Sequence, residues 1–304
     1  MKNTLLVLLG PTGVVKTDLS IKLAEHFGCE IISADSRQFF IEMKTGTAVP
    51  SDDQLAKIKH HFIRFISVRD YYSSSLFERD VLKLLPLLFR NNSVVLMTGG
   101  SGLYIDAVCR GIDDIPDVDQ EIRKKYSQKY REEGIEGLRI TLKMLDPEYY
   151  EKVDLRNHKR IIRALEVCET TGLPYSTFLK KEEHTRDFEI IKIGINRPRE
   201  ELFARINGRV DEMVAAGLED EAAGLYHLRN LNALNSVGYK EFFEYFDSKI
   251  TREKAIELIK RNSRRFAKRQ ITWWSRDTSI RWFGAHQKAA ITEYLETKFN
   301  LPGI

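Results

Sequence analysis

The sequence predicts an α/β fold, in which helices flank the parallel sheet of a phosphate-binding-loop (P-loop) core and a helical insertion domain interrupts that core. Short apolar runs alternate with helical patterns through the first part of the chain, an order typical of parallel sheets covered by helices. A glycine-containing loop with Lys-Thr joins the first apolar run to the first helical pattern. We therefore divide the chain into the first part of the core (1–114), the insertion (115–188) and the return to the core with basic C-terminal helices (189–304).

The elements of the core follow from these apolar runs and from helix-end signals. Strands are predicted at 4–9, 30–33, 61–68, 94–98 and 190–195. The first helix is predicted at 16–27, and Ser75 with Glu78 predicts a capping box for a helix that continues to about residue 89. In the insertion, a helix at 119–133 should end at Gly134, and one at 157–171 should end at Gly172.

Composition narrows the class of protein. No stretch approaches the roughly 18 apolar residues that span a bilayer, and the apolar opening of the chain has no signal-peptide cleavage pattern. The three cysteines are far apart and lack metal-ligand spacing, which disfavours disulfides and zinc. We therefore expect a cytoplasmic protein with no membrane partner, and a monomer by default.

The first glycine loop carries the strongest chemical signal. It joins a strand to a helix, and its residues are Gly10, Pro11, Thr12, Gly13, Val14, Val15, Lys16 and Thr17. Backbone N–H groups and the helix N-terminus would face an oligophosphate, Lys16 would neutralise its charge, and the Thr17 hydroxyl would hold Mg²⁺. The alternative is an ordinary glycine turn at the mouth of the sheet.

Val15 departs from this motif, because the residue before the lysine should be glycine. A β-branched residue is a poor replacement where the backbone approaches a ligand or adopts left-handed torsions. Such torsions would cost about 1–2 kcal/mol. We expect weakened pyrophosphate binding with an intact fold.

Asp35 follows the predicted second strand, and residues at the carboxyl ends of parallel strands line the ligand crevice. We therefore expect Asp35 close to Lys16. It could act as an outer ligand of Mg²⁺, as a base that takes a proton from a nucleophile, or as a structural helix cap. A second glycine turn, Gly99 to Tyr104, could form another anion-binding nest.

Seven motifs in register resemble bacterial tRNA dimethylallyltransferases, and they extend over nearly the whole chain. These are residues 10–17, 33–38, 46–48, 99–104, 160–167, 237–241 and 267–273. The resemblance implies that the first loop binds the pyrophosphate of dimethylallyl diphosphate, with Mg²⁺ as cofactor. It also implies that Asp35 takes a proton from the exocyclic amine of an adenosine flipped out of the anticodon loop.

The resemblance also assigns roles to other residues. Ser101 and Arg123 match positions that contact the target nucleotide or the diphosphate, and the insertion is implied to clasp the anticodon stem-loop. The implied tRNA-contacting residues are Asp35, Ser36, Arg37, Gln38, Lys159, Arg160, Ile161, Ile162, Arg163, Asn235, Ser236, Val237, Gly238, Tyr239 and Lys240. His158 and Lys159 replace a Pro-Gln pair usual in the family.

A basic segment supports an RNA partner. Residues 251–276 contain nine Lys or Arg and two Glu, and on a helix these cations would share adjacent faces. Two rival interpretations stay open: a P-loop small-molecule kinase, which would share the loop, Mg²⁺ and Asp35, and a weakly active tRNA-binding paralogue, for which Val15 is the evidence.

Overall fold

The computed structural model describes residues 2–116, 118–180 and 184–299. The chain divides into two compact units. Unit 1 comprises Met1–Cys109 with Thr185–Ile304, and unit 2 comprises Arg110–His184. Among the described residues, no helix is both long and apolar enough to cross a membrane.

A six-stranded parallel sheet forms the centre of unit 1. Its strands are β1 (Thr4–Leu9), β2 (Ile31–Ser33), β3 (His60–His61), β4 (Val94–Gly99), β5 (Glu189–Asn196) and β6 (Arg281–Gly284). The order across the sheet is β3-β2-β4-β1-β5-β6, and every pairing is parallel. Because β1 lies between β4 and β5, the loop that follows it opens at the middle of the sheet.

Helices cover both faces of this sheet. The helices of unit 1 are α1 (Lys16–Phe27), α2 (Asp52–Lys57), α3 (Ser74–Asn91), α4 (Gly102–Arg110), α8 (Arg199–Ala215), α9 (Leu218–Leu225), α10 (Tyr239–Phe246), α11 (Arg252–Trp274) and α12 (Lys288–Phe299). Unit 2 contains α5 (Gln120–Leu145), α6 (Pro147–Lys152) and α7 (His158–Thr171). Alternate residues of β1 enter different cores. Leu6 and Leu8 pack in one core, and Leu5, Val7 and Leu9 pack in the other. An unbroken apolar strand is expected when both faces of a sheet are covered.

A third core of unit 1 is helical. It contains buried residues of α8 to α11 together with Phe40, Met43 and Val68 from the segment between β2 and α3. This cluster anchors the segment after β2, and it holds α8 and α11 beside the sheet.

Unit 2 has its own core, in which α5 and α7 contribute most of the buried residues. Gly134 interrupts α5 with non-helical torsions, φ 69° and ψ −162°. The predicted helix end there is confirmed, but the chain resumes a helix immediately and continues to Leu145. Asn157 caps the start of α7 and Gly172 ends it in the left-handed conformation, as predicted.

Two predicted elements differ from the structure. The predicted strand 61–68 is reduced to His60–His61, and farther along only Ile66 forms an isolated bridge, with Phe40. Ser73 rather than Ser75 caps α3, by accepting a hydrogen bond from Leu76 N–H. Glu78 instead forms an ion pair with Arg186 at 2.6 Å, so a tertiary contact replaced the predicted capping box.

Candidate active site at the carboxyl ends of the strands

The loop between β1 and α1 has the backbone conformation of an anion cradle. Gly13 and Val15 both have positive φ, 81° and 80°, and Val15, with ψ 44°, is the left-handed residue that precedes α1. A β-branched side chain therefore occupies a conformation that favours glycine. The left-handed geometry that the sequence analysis considered for Val15 is present.

Lys16 points its ammonium group back into this loop. Its Nζ donates to the carbonyl oxygens of Gly10 at 2.8 Å and Pro11 at 3.1 Å. The residue as a whole keeps partial exposure, but burial of the ammonium group lowers the pKa of Lys16 to about 8, opposed by the nearby Asp35 carboxylate. An arriving anion would therefore meet a cation that is poorly solvated and close to its ionisation range.

Two arginines of α8 also reach the loop, and the sequence analysis did not identify either of them. Arg209 Nη1 donates to Thr12 Oγ1 at 3.4 Å, and Arg205 Nε donates to the Gly13 carbonyl oxygen at 3.1 Å. Burial lowers the pKa of Arg209 from its usual value. The two residues are one helical turn apart, but their distance from the loop in sequence left no local signal of this role.

Asp35 lies on the same cavity as Lys16. Its Oδ1 accepts a hydrogen bond from Arg37 N–H at 3.1 Å, and a turn rather than an α-helix follows it. The structural role of Asp35 is thus limited to a local turn, and its other carboxylate oxygen has no hydrogen bond within the described parts of the chain. That geometry leaves the metal and base interpretations open and disfavours the helix-cap interpretation.

The second glycine turn lies directly against Asp35. A Cβ atom on Gly99 would come within 2.3 Å of the Ala34 backbone, and one on Gly100 would lie 3.9 Å from Asp35 Oδ2. Ser101 Oγ accepts from Ser36 N–H at 2.9 Å and lies 3.0 Å from Ser36 Oγ. Ser101 is therefore attached to the residue next to Asp35, and glycine at 99 and 100 allows this close approach.

The opposite wall of the cavity is held together by Glu221. Glu221 of α9 accepts hydrogen bonds from the backbone N–H groups of Lys44, Thr45 and Gly46, at 3.0, 2.7 and 2.9 Å, and from the Tyr239 hydroxyl at 2.6 Å. Gln38 Nε2 donates to carbonyl oxygens of the same loop. Glu221 thus shapes a cavity wall, a role that the sequence analysis missed.

The cavity enclosed by these elements has a volume of about 190 Å³. The phosphate loop, Asp35 and Gln38 supply its polar part. Its apolar part comes chiefly from α8 and α11 and contains Ile206, Val210, Met213, Ile259 and Phe266. A charged group and a small hydrocarbon group can therefore be accommodated side by side.

Thr17 and Asp35 supply oxygen atoms to this cavity that suit a hard divalent cation. Thr17 Oγ1 makes no hydrogen bond within the described ranges. Those ranges also contain no cluster of three or more His, Cys, Asp or Glu able to hold a metal. This donor set fits Mg²⁺, which commonly takes one or two protein oxygens and completes its shell with phosphate and water.

The structure brings two of the predicted tRNA-contacting stretches together. Arg37 Nη1 donates to the carbonyl oxygens of Asn232 and Ala233, at 3.3 and 3.0 Å, just before Asn235. Asn235 and Lys240 are exposed, and Ser236 and Val237 line the cavity. Gly238 and Tyr239 are buried, so contact of the Tyr239 side chain with tRNA is not supported; that side chain instead holds Glu221.

The remaining predicted residues belong to unit 2. Lys159 and Arg160 are exposed, and Ile162 and Arg163 are half-buried. Ile161 is fully buried in the core of the unit, which argues against a side-chain contact with tRNA. Arg123 forms an ion pair with the buried Glu166 at 2.9 Å.

The predicted basic helix is present as α11. Ile259 and Trp274 are buried, whereas Phe266 is 39% exposed and lines the cavity. Lys260 is paired with Asp211 at 2.6 Å. Six other cations are exposed along the helix. Arg252 and Lys254 form ion pairs with Glu219 and Glu257, and the other four are Arg261, Arg265, Lys268 and Arg269.

The chain is similar to a protein-family model and to several named proteins. Residues 38–277 match the family model described as IPP transferase. A protein named tRNA dimethylallyltransferase 1 from Porphyromonas gingivalis is 56% identical over 281 residues, which cover 92% of this chain and 94% of its own. One from Phocaeicola vulgatus is 50% identical over 98% of this chain and 99% of its own.

Solved structures show the same likeness. A full-length tRNA isopentenylpyrophosphate transferase from Bacillus halodurans superposes with a TM-score of 0.71 at 32% identity, over 98% of this chain and 97% of that chain. A eukaryotic dimethylallyltransferase acting on tRNA gives a TM-score of 0.78 at 25% identity, over 99% of this chain and 80% of that chain.

Proposed function

We propose that this chain is an enzyme that modifies the adenosine 3′ to the anticodon, because it belongs to the IPP transferase family of tRNA prenyltransferases. It transfers a dimethylallyl group from dimethylallyl diphosphate to the exocyclic amine of that adenosine and releases pyrophosphate. The observation that carries the proposal at the level of residues is that Lys16, which follows β1, and Asp35, which follows β2, line one cavity.

The phosphate loop binds the diphosphate of the donor. Its N–H groups, the start of α1 and the Lys16 ammonium all present positive charge to this part of the cavity. Arg209 adds a second cation beside Thr12. In the transfer, negative charge accumulates on the departing pyrophosphate, so these groups stabilise the transition state more strongly than the bound donor.

The apolar part of the cavity receives the dimethylallyl group. Val210, Met213 and Phe266 line it beside the loop, and hydrocarbon groups gain about 0.8 kcal/mol per buried methylene. This wall would also keep water away from the carbon under attack, which limits hydrolysis of the donor.

Mg²⁺ would be held by the Thr17 hydroxyl together with the diphosphate. When bound, it would neutralise charge on the diphosphate oxygens.

Asp35 accepts the proton that the exocyclic amine loses. An aromatic amine is a weak nucleophile, so proton removal and positioning must both contribute. The turn around Asp35 is held by Arg37 N–H and by the Ser36–Ser101 contact. Ser101 thereby keeps the carboxylate aimed into the cavity.

The tRNA contacts are assigned to exposed and half-buried residues of both units. In unit 1 these are the exposed cations of α11, together with Arg37, Gln38, Asn235, Ser236 and Lys240. In unit 2 they are Lys159, Arg160, Ile162 and Arg163. Arg123 on α5 is assigned, with Asp35 and Ser101, to the catalytic residues that contact the target nucleotide or the diphosphate. Adenosine must leave its stack at a cost of a few kcal/mol, which such contacts offset. Because phosphate contacts release counterions, tRNA affinity should fall steeply with salt.

Incubation of the protein with unmodified tRNA, dimethylallyl diphosphate and Mg²⁺, followed by mass analysis of the nucleosides, tests the proposal. The expected product is an adenosine heavier by one dimethylallyl group, and a tRNA with that adenosine replaced by guanosine is the matched control. ATP consumption with a small acceptor in the absence of tRNA would favour the kinase interpretation. Tight tRNA binding without transfer would favour the inactive paralogue.

A further inference from the structure

One buried side chain joins the two glycine turns of the cavity. Gln270 of α11 is 5% exposed. Its Oε1 accepts a hydrogen bond from Thr12 N–H at 2.9 Å, and its Nε2 donates to the Gly100 carbonyl oxygen at 2.8 Å. Because an N–H group can only donate and a carbonyl can only accept, one orientation of the amide satisfies both partners.

Contacts on either side fix the position of Gln270 along α11. Trp273 Nε1 donates to Asp106 Oδ2 at 2.7 Å, and a Cβ atom on Gly102 would lie 2.5 Å from the Trp273 ring. Trp274 and Ala267 are buried in the two cores of the sheet. The helix therefore cannot slide along α4 without losing these contacts, and the amide is held in register with both turns.

Each turn that Gln270 contacts lies next to a group proposed to take part in the reaction. On one side, Thr12 belongs to the loop that holds Lys16. On the other side, a Cβ atom on Gly100 would lie 2.5 Å from Gln270 Nε2 and 3.9 Å from Asp35 Oδ2, so the amide and the carboxylate flank the same glycine. The amide thus lies between the diphosphate side and the proton-accepting side of the cavity.

We propose that Gln270 is a positioning residue that sets the separation between the phosphate loop and the turn that supports Asp35. The inference rests on the proposed function. In the transfer, the amine nitrogen forms a bond to the first carbon of the dimethylallyl group. The bond from that carbon to the diphosphate oxygen breaks, and its electron pair leaves on pyrophosphate. The amine proton moves to Asp35. All three events require the two turns to be aligned at once, and a misplacement of about 1 Å can cost about a hundredfold in rate.

Gln270→Met tests this role, because methionine has a similar length and no amide. The expected result is a fall in kcat of about 10- to 100-fold, with the KM for dimethylallyl diphosphate and the tRNA Kd each within about threefold of wild type. Thr272→Ala is the matched control. It removes an exposed hydrogen bond of the same helix, from Thr272 Oγ1 to the Lys268 carbonyl oxygen, and should leave kcat unchanged.

Gln270→Glu separates the two hydrogen bonds and serves if the methionine variant unfolds. The carboxylate still accepts from Thr12 N–H, but it places an oxygen against the Gly100 carbonyl oxygen. We expect kcat to fall as in the methionine variant, while hydrogen exchange of the Thr12 amide stays slow. In Gln270→Met that amide should exchange faster.

Two outcomes overturn the proposal: a folded Gln270→Met or Gln270→Glu enzyme whose kcat is within twofold of wild type, or a Gln270→Met variant in which the Thr12 amide keeps its wild-type protection. Failure of the proposed function gives a different result, since the wild-type chain would then transfer no dimethylallyl group. The exchange measurement would still show whether Gln270 holds the loop.

Discussion

The two glycine turns of unit 1 follow neighbouring strands and open at the same edge of the sheet, yet they have opposite chemistry. The loop after β1 contains two residues with positive φ, Gly13 and Val15, and presents the cationic Lys16. The turn after β4 has no positive φ between Gly99 and Gly102, and it supports a carboxylate through Ser101. The two strand-turn-helix patterns are similar, but their surroundings differ. In the proposed function, one turn therefore binds an anion and the other supports proton transfer.

The largest expected effect is on the proton-accepting side. Asp35→Asn keeps the hydrogen bond from Arg37 N–H but removes the base, and general base catalysis contributes about 10²- to 10⁴-fold. We expect kcat to fall by a factor in this range, with little change in the KM for dimethylallyl diphosphate. Single-turnover measurements with saturating tRNA check this, and a variant that keeps more than a tenth of wild-type kcat would exclude Asp35 as the base.

The next effect lies on the anion-binding side. Lys16→Met removes a charged donor from the loop, and hydrogen bonds to charged groups contribute about 1.5–3 kcal/mol. We expect the Kd for dimethylallyl diphosphate to rise by about 10- to 100-fold, with the tRNA Kd unchanged. Calorimetric titration with each ligand separates the two effects.

The pH dependence of donor binding sharpens the same prediction. Burial lowers the pKa of Lys16 to about 8, and a bound diphosphate favours the protonated lysine. Below about pH 8 Lys16 is already protonated, so its ionisation should not make the affinity depend on pH. Above this value the affinity should fall as the pH rises, because binding then requires uptake of a proton. Lys16→Met should lack this fall, and an identical profile in the variant would contradict the assignment.

A smaller effect is expected at the second turn. Ser101→Ala removes the acceptor of the Ser36 N–H hydrogen bond, and a neutral hydrogen bond contributes about 0.5–1.5 kcal/mol. We expect kcat to fall by up to about tenfold. Ser275→Ala, which removes a similar exposed hydrogen bond on the Thr272 carbonyl oxygen, is the control; equal losses in both variants would mean that Ser101 has no role in positioning Asp35.

The two turns also differ in how much of their role the sequence could predict. The loop after β1 is local, because strand, glycines, Lys16 and helix are consecutive, and its left-handed torsions were anticipated. Two cations and an amide complete it: Arg205 and Arg209 from α8, and Gln270 from α11. Nothing in their local pattern indicates which way those side chains point, since that depends on how the helices pack.

The errors in the predicted secondary structure have the same cause, which is tertiary packing. The predicted strand 61–68 has a suitable apolar content, but only His60–His61 pairs with β2. Phe62 and Arg64 have positive φ, which ends the extended strand, and Val68 packs in the helical cluster that contains Phe40. β6 was not predicted at all; Arg281 and Trp282 are exposed, so this edge strand lacks the buried apolar run on which the other predictions depended. Tertiary contacts decided both outcomes.

The smallest expected effect returns to the loop after β1, at the residue that departs from the phosphate-loop pattern. Val15 has φ 80° and ψ 44°, so Val15→Gly relieves left-handed strain of about 1–2 kcal/mol but adds about 0.5–1 kcal/mol of conformational entropy to the unfolded chain. The net gain in the free energy of unfolding should be about 1 kcal/mol or less. Chemical denaturation measures it.

The Kd for dimethylallyl diphosphate tests a separate property of Val15, which is the size of its side chain beside the cavity. Strain that is the same in the free and bound loop cannot change the Kd, whereas branched methyl groups that crowd the diphosphate can. Val15→Ala distinguishes these, because alanine keeps a Cβ and its left-handed strain but loses the branched methyl groups. If bulk matters, both variants should lower the Kd for dimethylallyl diphosphate severalfold. If neither variant lowers the Kd, Val15 reduces only the stability of the protein. The interpretation as a weakly active paralogue then loses its evidence.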